Sequence, residues 1–200
     1  MAWQPAYCAA ADLAGWLGVP NEGTELALAC ESASRAIDKA CNRQFGLVSS
    51  PEARWYTAEW YRDRWLITID DLMTITGLVV ELENGDDITE YKLTPINAAP
   101  TGRPWTRIEV SPSSAVQPNG TPHGVKVTAK YGWTAVPNAI KQATLIQGAR
   151  FYDRRENVGG MLTKQHVDDV EYGWAANAGQ ELDSDVALSL SGYRRLWAAA

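Results

Sequence analysis

The sequence predicts an α+β protein, with a helical core of two long and two shorter helices and an antiparallel β insertion. Two observations favour this class. Helical periodicity is confined to the two ends of the 200-residue chain, whereas the middle alternates with a period close to two and is rich in turn residues. We therefore expect a single protomer spanning 1–200, with its helical core in 10–46 and 137–197 and its β-rich insertion in 53–134.

The N-terminal part predicts one short helix and one long helix. A short amphipathic pattern covers residues 10–18 and ends at Gly18 and Pro20. Residues 24–43 follow with apolar or small residues spaced by four and three, which is typical of a helix with one narrow buried seam. We expect Gly46 to end this helix. The seam consists of Leu26, Cys30, Ala33, Ile37, Ala40 and Cys41.

The middle of the chain predicts short strands. An Asn84-Gly85 pair stands between two apolar runs, which is a good hairpin signal. We therefore expect residues 88–93 to return beside residues 78–82. The other predicted strands cover 53–58, 64–70, 106–110 and 125–133.

The C-terminal part begins with the strongest helical pattern in the chain. Pro137 suits the first helical turn because its φ is fixed and its missing N–H is not needed there. The helix is expected to run to residue 156, before Gly159-Gly160. Its apolar stripe consists of Ile140, Ala143, Thr144, Gln147 and Phe151. The Gly-rich segment 157–182 is expected to be irregular and to bind a partner. A last helix is expected to be capped by Asp183 or Ser184 and to run to residue 197.

Composition excludes some functions. The net charge of −6 argues against a protein that holds nucleic acid by neutralising its phosphates. No apolar run reaches the ~18 residues of a membrane span, and the N-terminus lacks the basic region of a signal peptide. The three cysteines are expected to be free, mostly buried thiols in a reducing compartment. Nine Trp and eight Tyr against two Phe suit either a Trp-rich core or subunit interfaces.

Chemistry-bearing residues form no recognisable constellation. Asp70 and Asp71 are neighbours on a predicted strand and point to opposite faces, so we expect surface or turn roles for them. His123 and His166 each lack a second ligand at metal-binding spacing. Phosphate-binding and nucleophile motifs are absent from the sequence. The sequence therefore predicts no catalytic, cofactor-binding or metal-binding residue, and we do not expect an enzyme.

Two groups of residues have two interpretations each. Arg150, Arg154 and Arg155 either complement the carbonyls at a helix C-terminus or form a docking patch. Trp174 and Trp197 are either core residues or interface residues.

The order of these parts resembles the head–tail connector (adaptor) proteins of long-tailed bacteriophages. The motifs that carry the resemblance are DLAGWLGVP, ASRAIDKACNRQFG, LTPINAAPTGRPWTRIEV and YGWTAVPNAIKQATLIQGARFYDRRE. They cover roughly residues 10–46, 66–110 and 125–156. The Gly-rich segment 157–182 departs from the resemblance.

The resemblance implies a structural virion protein at the capsid–tail junction, made in the host bacterial cytoplasm. Such proteins form a ring, commonly of twelve copies, that sits beneath the portal protein and meets a stopper or tail-completion protein. The ring extends the channel through which double-stranded DNA passes without specific binding. The expected subunit or portal interface comprises Arg150, Arg154, Arg155, Trp174, Tyr193, Arg194 and Trp197.

Two alternatives stay open at this point. The protein could be another neck component, a stopper or tail-completion protein, although those are usually shorter, β-dominated and without two long helices. It could also be a carbohydrate-binding module, which would need Trp55, Trp60, Trp65 and Trp105 exposed on one face.

Overall fold

The structure of the protein, a computed structural model, describes residues 4–154, 164–167, 170–173, 182 and 184–195. The α+β class predicted from the sequence is confirmed. The chain divides into a β unit, Phe45–Ala135, and a helical unit that combines Gln4–Gln44 with Val136–Ala200. Within the described residues, no helix has the length and apolar character needed to cross a membrane.

The β unit contains seven described strands in two antiparallel sheets. In chain order these are β1 (Glu52–Tyr56), β2 (Ala58–Trp60), β3 (Trp65–Leu72), β4 (Val79–Leu82), β5 (Tyr91–Thr94), β6 (Trp105–Val110) and β7 (Val125–Ala129). The three-stranded sheet has the order β1-β7-β4, and the four-stranded sheet has the order β2-β3-β6-β5. Buried side chains of the two sheets and of the segments beside them form one apolar core: Val48, Ala58, Ile67, Ile69, Leu72, Val80, Ile88, Ile108, Val110, Val125, Val127, Ala129 and Tyr131.

The hairpin predicted around Asn84-Gly85 is wrong in its partner strand. The chain does turn there, because the N–H of Ile88 donates to the carbonyl of Val80 at 2.8 Å. It then leaves β4, which pairs with β7, while β5 pairs with β6 in the other sheet. Ile88 is buried in the apolar core, and β5 gains a full antiparallel partner only beside β6.

The helical unit contains α1 (Ala10–Leu17), α2 (Glu25–Cys41), α3 (Asn138–Asp153) and α4 (Ser184–Ser189). α1 begins where the Asp12 carboxylate accepts the Ala9 N–H at 3.1 Å. α2 ends earlier than predicted, because Asn42 and not Gly46 adopts the left-handed conformation, with φ of 50°.

Three helices meet in one buried cluster. Leu13 of α1, Leu26 and Ala29 of α2, and Leu145 and Ala149 of α3 contribute to it. Gly148 allows the close approach of α1 and α3, since a Cβ there would lie 3.3 Å from Leu13 Cδ2. The predicted seam of α2 is buried at every position except Ala40, which is half-buried.

Two expectations for the C-terminal part need correction. The segment predicted to be irregular contains a pair of antiparallel strands, β8 (Lys164–Val167) and β9 (Val170–Gly173). The last helix is much shorter than predicted, since a 3-10 turn at Ser191–Tyr193 follows α4 and Arg194 is extended. Ser and Gly are weak helix formers, which accounts for the break.

Candidate assembly surfaces

An exposed aromatic hairpin tip, residues 60–65, lies between β2 and β3. Tyr61 and Arg64 exchange backbone hydrogen bonds of 2.9 and 3.2 Å across the turn. Arg62 and Asp63 between them have φ of 46° and 59°, as a two-residue type I′ turn requires. Trp60 and Tyr61 are each 51% exposed, and the Arg62 guanidinium lies 5.1 Å from the centre of the Tyr61 ring. Trp, Tyr and Arg are the residues most enriched in the energetic centres of protein interfaces.

Side-chain contacts of Trp65 and Arg64 support the hairpin tip where it joins the β unit. The rings of Trp60 and Trp65 meet edge to face with their centroids 5.1 Å apart. Trp65 packs against the β core and approaches Gly120, where a Cβ would lie 3.6 Å from its ring. Arg64 pairs with Glu109 of β6 at 3.0 Å. The aromatic groups at the tip are therefore presented by a rigid support, which reduces the entropy lost when a partner binds.

A polar pocket of about 400 Å³ lies next to the hairpin tip. Charged residues of both signs line it, including Asp63, Arg64, Glu90, Lys92 and Glu109. A lining with this many solvent-facing charges does not suit a small apolar ligand.

The carboxylates Asp70 and Asp71 have structural roles on opposite sides of β3. Asp70 accepts hydrogen bonds from Arg54 at 2.7 Å and from the Tyr56 hydroxyl at 2.9 Å. Burial raises the pKa of Tyr56 to about 12, so this hydroxyl remains a donor at neutral pH. Asp71 is buried and accepts the Trp133 indole N–H at 2.9 Å, so the surface or turn role expected for it is wrong.

Arg150 and Arg154 lie at the C-terminal end of α3. Arg150 is half-buried and Arg154 is exposed, with its guanidinium 5.8 Å from the centre of the Phe151 ring. Phe151 and Tyr152 pack against the cluster that contains Leu26 of α2. The C-terminal end of α3 therefore lies beside the first turns of α2.

Tyr193 and Arg194 lie near the other end of α2. The next residue, Arg195, donates its N–H to the Cys41 carbonyl at 2.8 Å, and the Asn42 side chain donates to the Arg195 carbonyl at 3.4 Å. α2 has 17 residues, so its two ends are about 24 Å apart. The structure thus brings Arg150 and Arg154 together and separates them from Tyr193 and Arg194. Arg155, Trp174 and Trp197, which the sequence also predicted at the interface, lie outside the described residues.

The four tryptophans proposed for carbohydrate stacking do not share an exposed face. Trp55 is on β1 of the three-stranded sheet, whereas Trp60, Trp65 and Trp105 belong to the four-stranded sheet. Trp65 and Trp105 pack against the apolar core. This arrangement removes the geometric basis of a carbohydrate platform made of all four.

The described part of the chain holds no cluster of three or more His, Cys, Asp or Glu side chains that could bind a metal ion. His123 uses its backbone N–H to bond the Thr57 hydroxyl at 3.0 Å, in a loop where its φ is 56°. Its position is explained by the turn it makes.

Sequence reasoning missed two features that the structure brings out. One is the aromatic character of the hairpin tip, whose signal is the symmetrical placement of Trp60 and Trp65 around the two-residue turn. The other is the contact between Cys8 and Cys30, whose sulfur atoms lie 3.0 Å apart. No sequence spacing indicates that contact, because it depends on how the N-terminal segment packs on α2.

Comparisons with known proteins give a structural likeness. No protein-family model matches the sequence, and no curated protein matches it. One solved structure with a similar fold is a chain in the neck of an empty gene transfer agent (GTA) particle computed with C6 symmetry. The TM-score is 0.55 and the sequence identity is 19%, and the match covers 99% of this chain and 95% of that chain. A chain in the virion of the native GTA particle matches with a TM-score of 0.50 and 20% identity, over 81% of this chain and 87% of that one. At these identities the likeness shows a shared fold.

Proposed function

We propose that this protein is a structural component of the neck of a tailed-phage-like particle, where it forms a ring between portal and tail. The observation that supports this most strongly is the fold shared with the GTA neck chain over 99% of this chain and 95% of that one. The sequence resemblance to head–tail connectors points to the same place independently of the fold.

Within the neck, we assign the protein to the connector (adaptor) position beneath the portal. The resemblance distinguishes connectors from stoppers by their two long helices, and here α2 and α3 have 17 and 16 residues. The neck neighbour was computed with C6 symmetry, which a ring of twelve copies satisfies with two copies in each repeat. C6 symmetry admits six or twelve copies, and the resemblance to connectors favours twelve, so a dodecamer is our preferred assembly.

The ring needs two different contact patches on each protomer, because a head-to-tail interface joins unlike surfaces. We assign one patch to Arg150 and Arg154 at the end of α3, and the other to Tyr193 and Arg194 near the end of α2. The two patches are separated by the length of α2. This separation suits contacts with two different neighbouring subunits better than it suits one continuous interface with a single subunit. The aromatic hairpin tip of the β unit supplies a further contact, to the next copy or to the portal.

The acidic balance of the chain suits a DNA channel. At −6 per chain, a ring carries a large negative charge. A wall that repels phosphates lets DNA slide, whereas a basic wall would bind it. Double-stranded DNA is accordingly proposed as a passing partner that is not held.

Negative-stain electron microscopy tests this function. The purified protein is imaged alone and after separate mixing with the portal protein and with tail components of the same particle. Rings, or an added layer on the portal, are expected. A layer that forms on tail components and never on the portal would instead favour a stopper, and the absence of rings and of binding to either partner would refute a neck role.

Two variants then test whether the hairpin tip is a contact. The double variant Trp60→Ala/Tyr61→Ala removes the aromatic tip, and Trp16→Ala is its matched control, since Trp16 on α1 is exposed to 55% against 51% for Trp60. We expect the tip variant to weaken assembly at least tenfold, as loss of an interface centre does, and the control to assemble normally. Circular dichroism checks that both variants fold. If the tip variant assembled as well as the control, the assignment of the hairpin tip to the interface would be wrong.

A further inference from the structure

The N-terminal segment, residues 5–8, packs on one face of α2 and forms hydrogen bonds with it. The N–H of Tyr7 donates to the Ser34 hydroxyl at 2.9 Å, and the Tyr7 hydroxyl donates to the Asp38 carboxylate. Arg35 donates to the Pro5 carbonyl at 2.8 Å. Ser34 and Asp38 are one helical turn apart, and Cys30 is one turn before Ser34, so these side chains lie in one row.

Cys8 and Cys30 meet at the end of this row. Their sulfur atoms are 3.0 Å apart, and the two residues are 8% and 1% exposed. A disulfide bond has a length of about 2.05 Å, so the two atoms need to approach by only about 1 Å. Cys41 is not a competitor for Cys30, because eleven residues on one helix correspond to about 16 Å.

We propose that Cys8 and Cys30 are a reversible disulfide site that locks the N-terminal segment onto α2 under oxidising conditions. The inference goes beyond the neck role and does not depend on it, since the site lies wholly within one chain. In a reducing compartment both thiols stay free and pack as small apolar side chains.

The oxidant is a small-molecule disulfide. The hydrogen bond from the Cys8 thiol lowers the pKa of Cys30 and raises that of Cys8. Once residues 5–8 open, one of the two cysteines attacks, as its thiolate, one sulfur of the small disulfide, forms a mixed disulfide and releases one small thiol. When the segment packs back on α2, the other cysteine loses its proton and attacks the protein sulfur of the mixed disulfide, which releases the second small thiol. Two electrons pass from the protein dithiol to the small disulfide, which leaves as two thiols.

Access is controlled by the segment itself. Both sulfur atoms are buried, so thiol–disulfide exchange requires residues 5–8 to detach transiently from α2. Hydrogen bonds and side-chain packing oppose this opening. We therefore expect oxidation in minutes to hours, slower than for an exposed thiol pair.

The test treats the folded, full-length chain with oxidised glutathione. Titration of thiols after denaturation should show one remaining thiol out of three. A glutamate-specific protease cuts after Glu22, Glu25 and Glu31, so it separates the Cys8 peptide from the Cys30 peptide. Mass spectrometry without reductant should then find these two peptides joined. Three free thiols in the folded protein, or joining to Cys41 in similar yield, would overturn the proposal.

Thermal unfolding supplies the second readout. Closing the loop from residue 8 to residue 30 should raise the melting temperature by about 5 to 10 °C, and reductant should reverse the rise. Cys41→Ala should behave as the unmodified chain, whereas Cys8→Ala should show neither the cross-link nor the rise. A cross-link that leaves the melting temperature unchanged or lowers it would show that the bond does not fit the native packing, and would refute the lock.

Discussion

Substitution of Gly132 by Ala should separate two backbone segments of the β unit. Gly132 has φ of +112°, and a Cβ there would lie 1.8 Å from the Gly46 carbonyl oxygen and 3.0 Å from Leu47 Cα. Real Cβ atoms essentially never show contacts under 3.0 Å. The obstacle is backbone, which cannot rotate away as a side chain does, so the two segments must move apart.

The expected loss of stability follows from what this movement breaks. The Trp133 N–H donates to the Gly46 carbonyl at 3.0 Å, and the Val48 N–H donates to the Tyr131 carbonyl at 3.0 Å. Each bond contributes about 1 kcal/mol net, and placing a Cβ at this φ costs about 1 to 2 kcal/mol. The free energy of unfolding should therefore fall by about 3 to 4 kcal/mol.

Urea unfolding followed by circular dichroism and tryptophan fluorescence measures this loss. Gly102→Ala is the matched control, because Gly102 also has a positive φ, +64°, but a Cβ there meets nothing within 4 Å. The control should lose only about 1 kcal/mol from backbone strain. If both variants lost the same amount, the close approach of Gly46 to Gly132 would be refuted.

Three further outcomes are expected. Burial raises the pKa of Asp38 from 3.8 to about 6, so protonation of Asp38 stabilises the fold fully below about pH 4, and this contribution is lost as the pH rises through 6. Relative to Asp38→Asn, the free energy of unfolding of the unmodified chain should fall by about 2 to 3 kcal/mol between pH 4 and 7. Parallel pH profiles of the two proteins would contradict this. Trp133→Phe removes the donor to buried Asp71 and should cost about 1 to 3 kcal/mol in urea unfolding, with an unchanged midpoint as the contrary result. Leu13→Ala should cost about 2 to 5 kcal/mol, whereas Leu28→Ala, at an exposed position, should cost under about 0.5 kcal/mol; similar losses would place Leu13 outside the core.

The long helices could be read from the sequence because their periodicity is local. The residues that predicted the seam of the second helix, such as Leu26 and Ile37, are those that are buried in α2. Pro137 stands immediately before α3, with φ of −59° and ψ of 146°, and not within the first helical turn as expected. The periodicity predicted Ala40 to be buried, but Ala40 is half-buried. A repeat of three and four residues indicates the direction in which a side chain points and not how much of it other residues cover.

Strand pairing could not be read in the same way. An alternating pattern indicates that one face of a strand is buried, but it does not name the neighbouring strand. The Asn84-Gly85 signal correctly located a turn, yet β4 pairs with β7 and β5 pairs with β6 in the other sheet, which the local sequence does not indicate.

The sequence by itself determined the α+β class, the placement of the long helices, the free thiols and the absence of known catalytic motifs, because each depends on residue types at short spacing. Tertiary structure alone decided that Arg154 and Arg194 lie near opposite ends of α2, that Trp60 and Tyr61 share an exposed tip, and that Cys8 meets Cys30. These are contacts between residues distant in the chain. They depend on which surfaces pack together, and packing is selected by the summed burial of many side chains and not by any one motif.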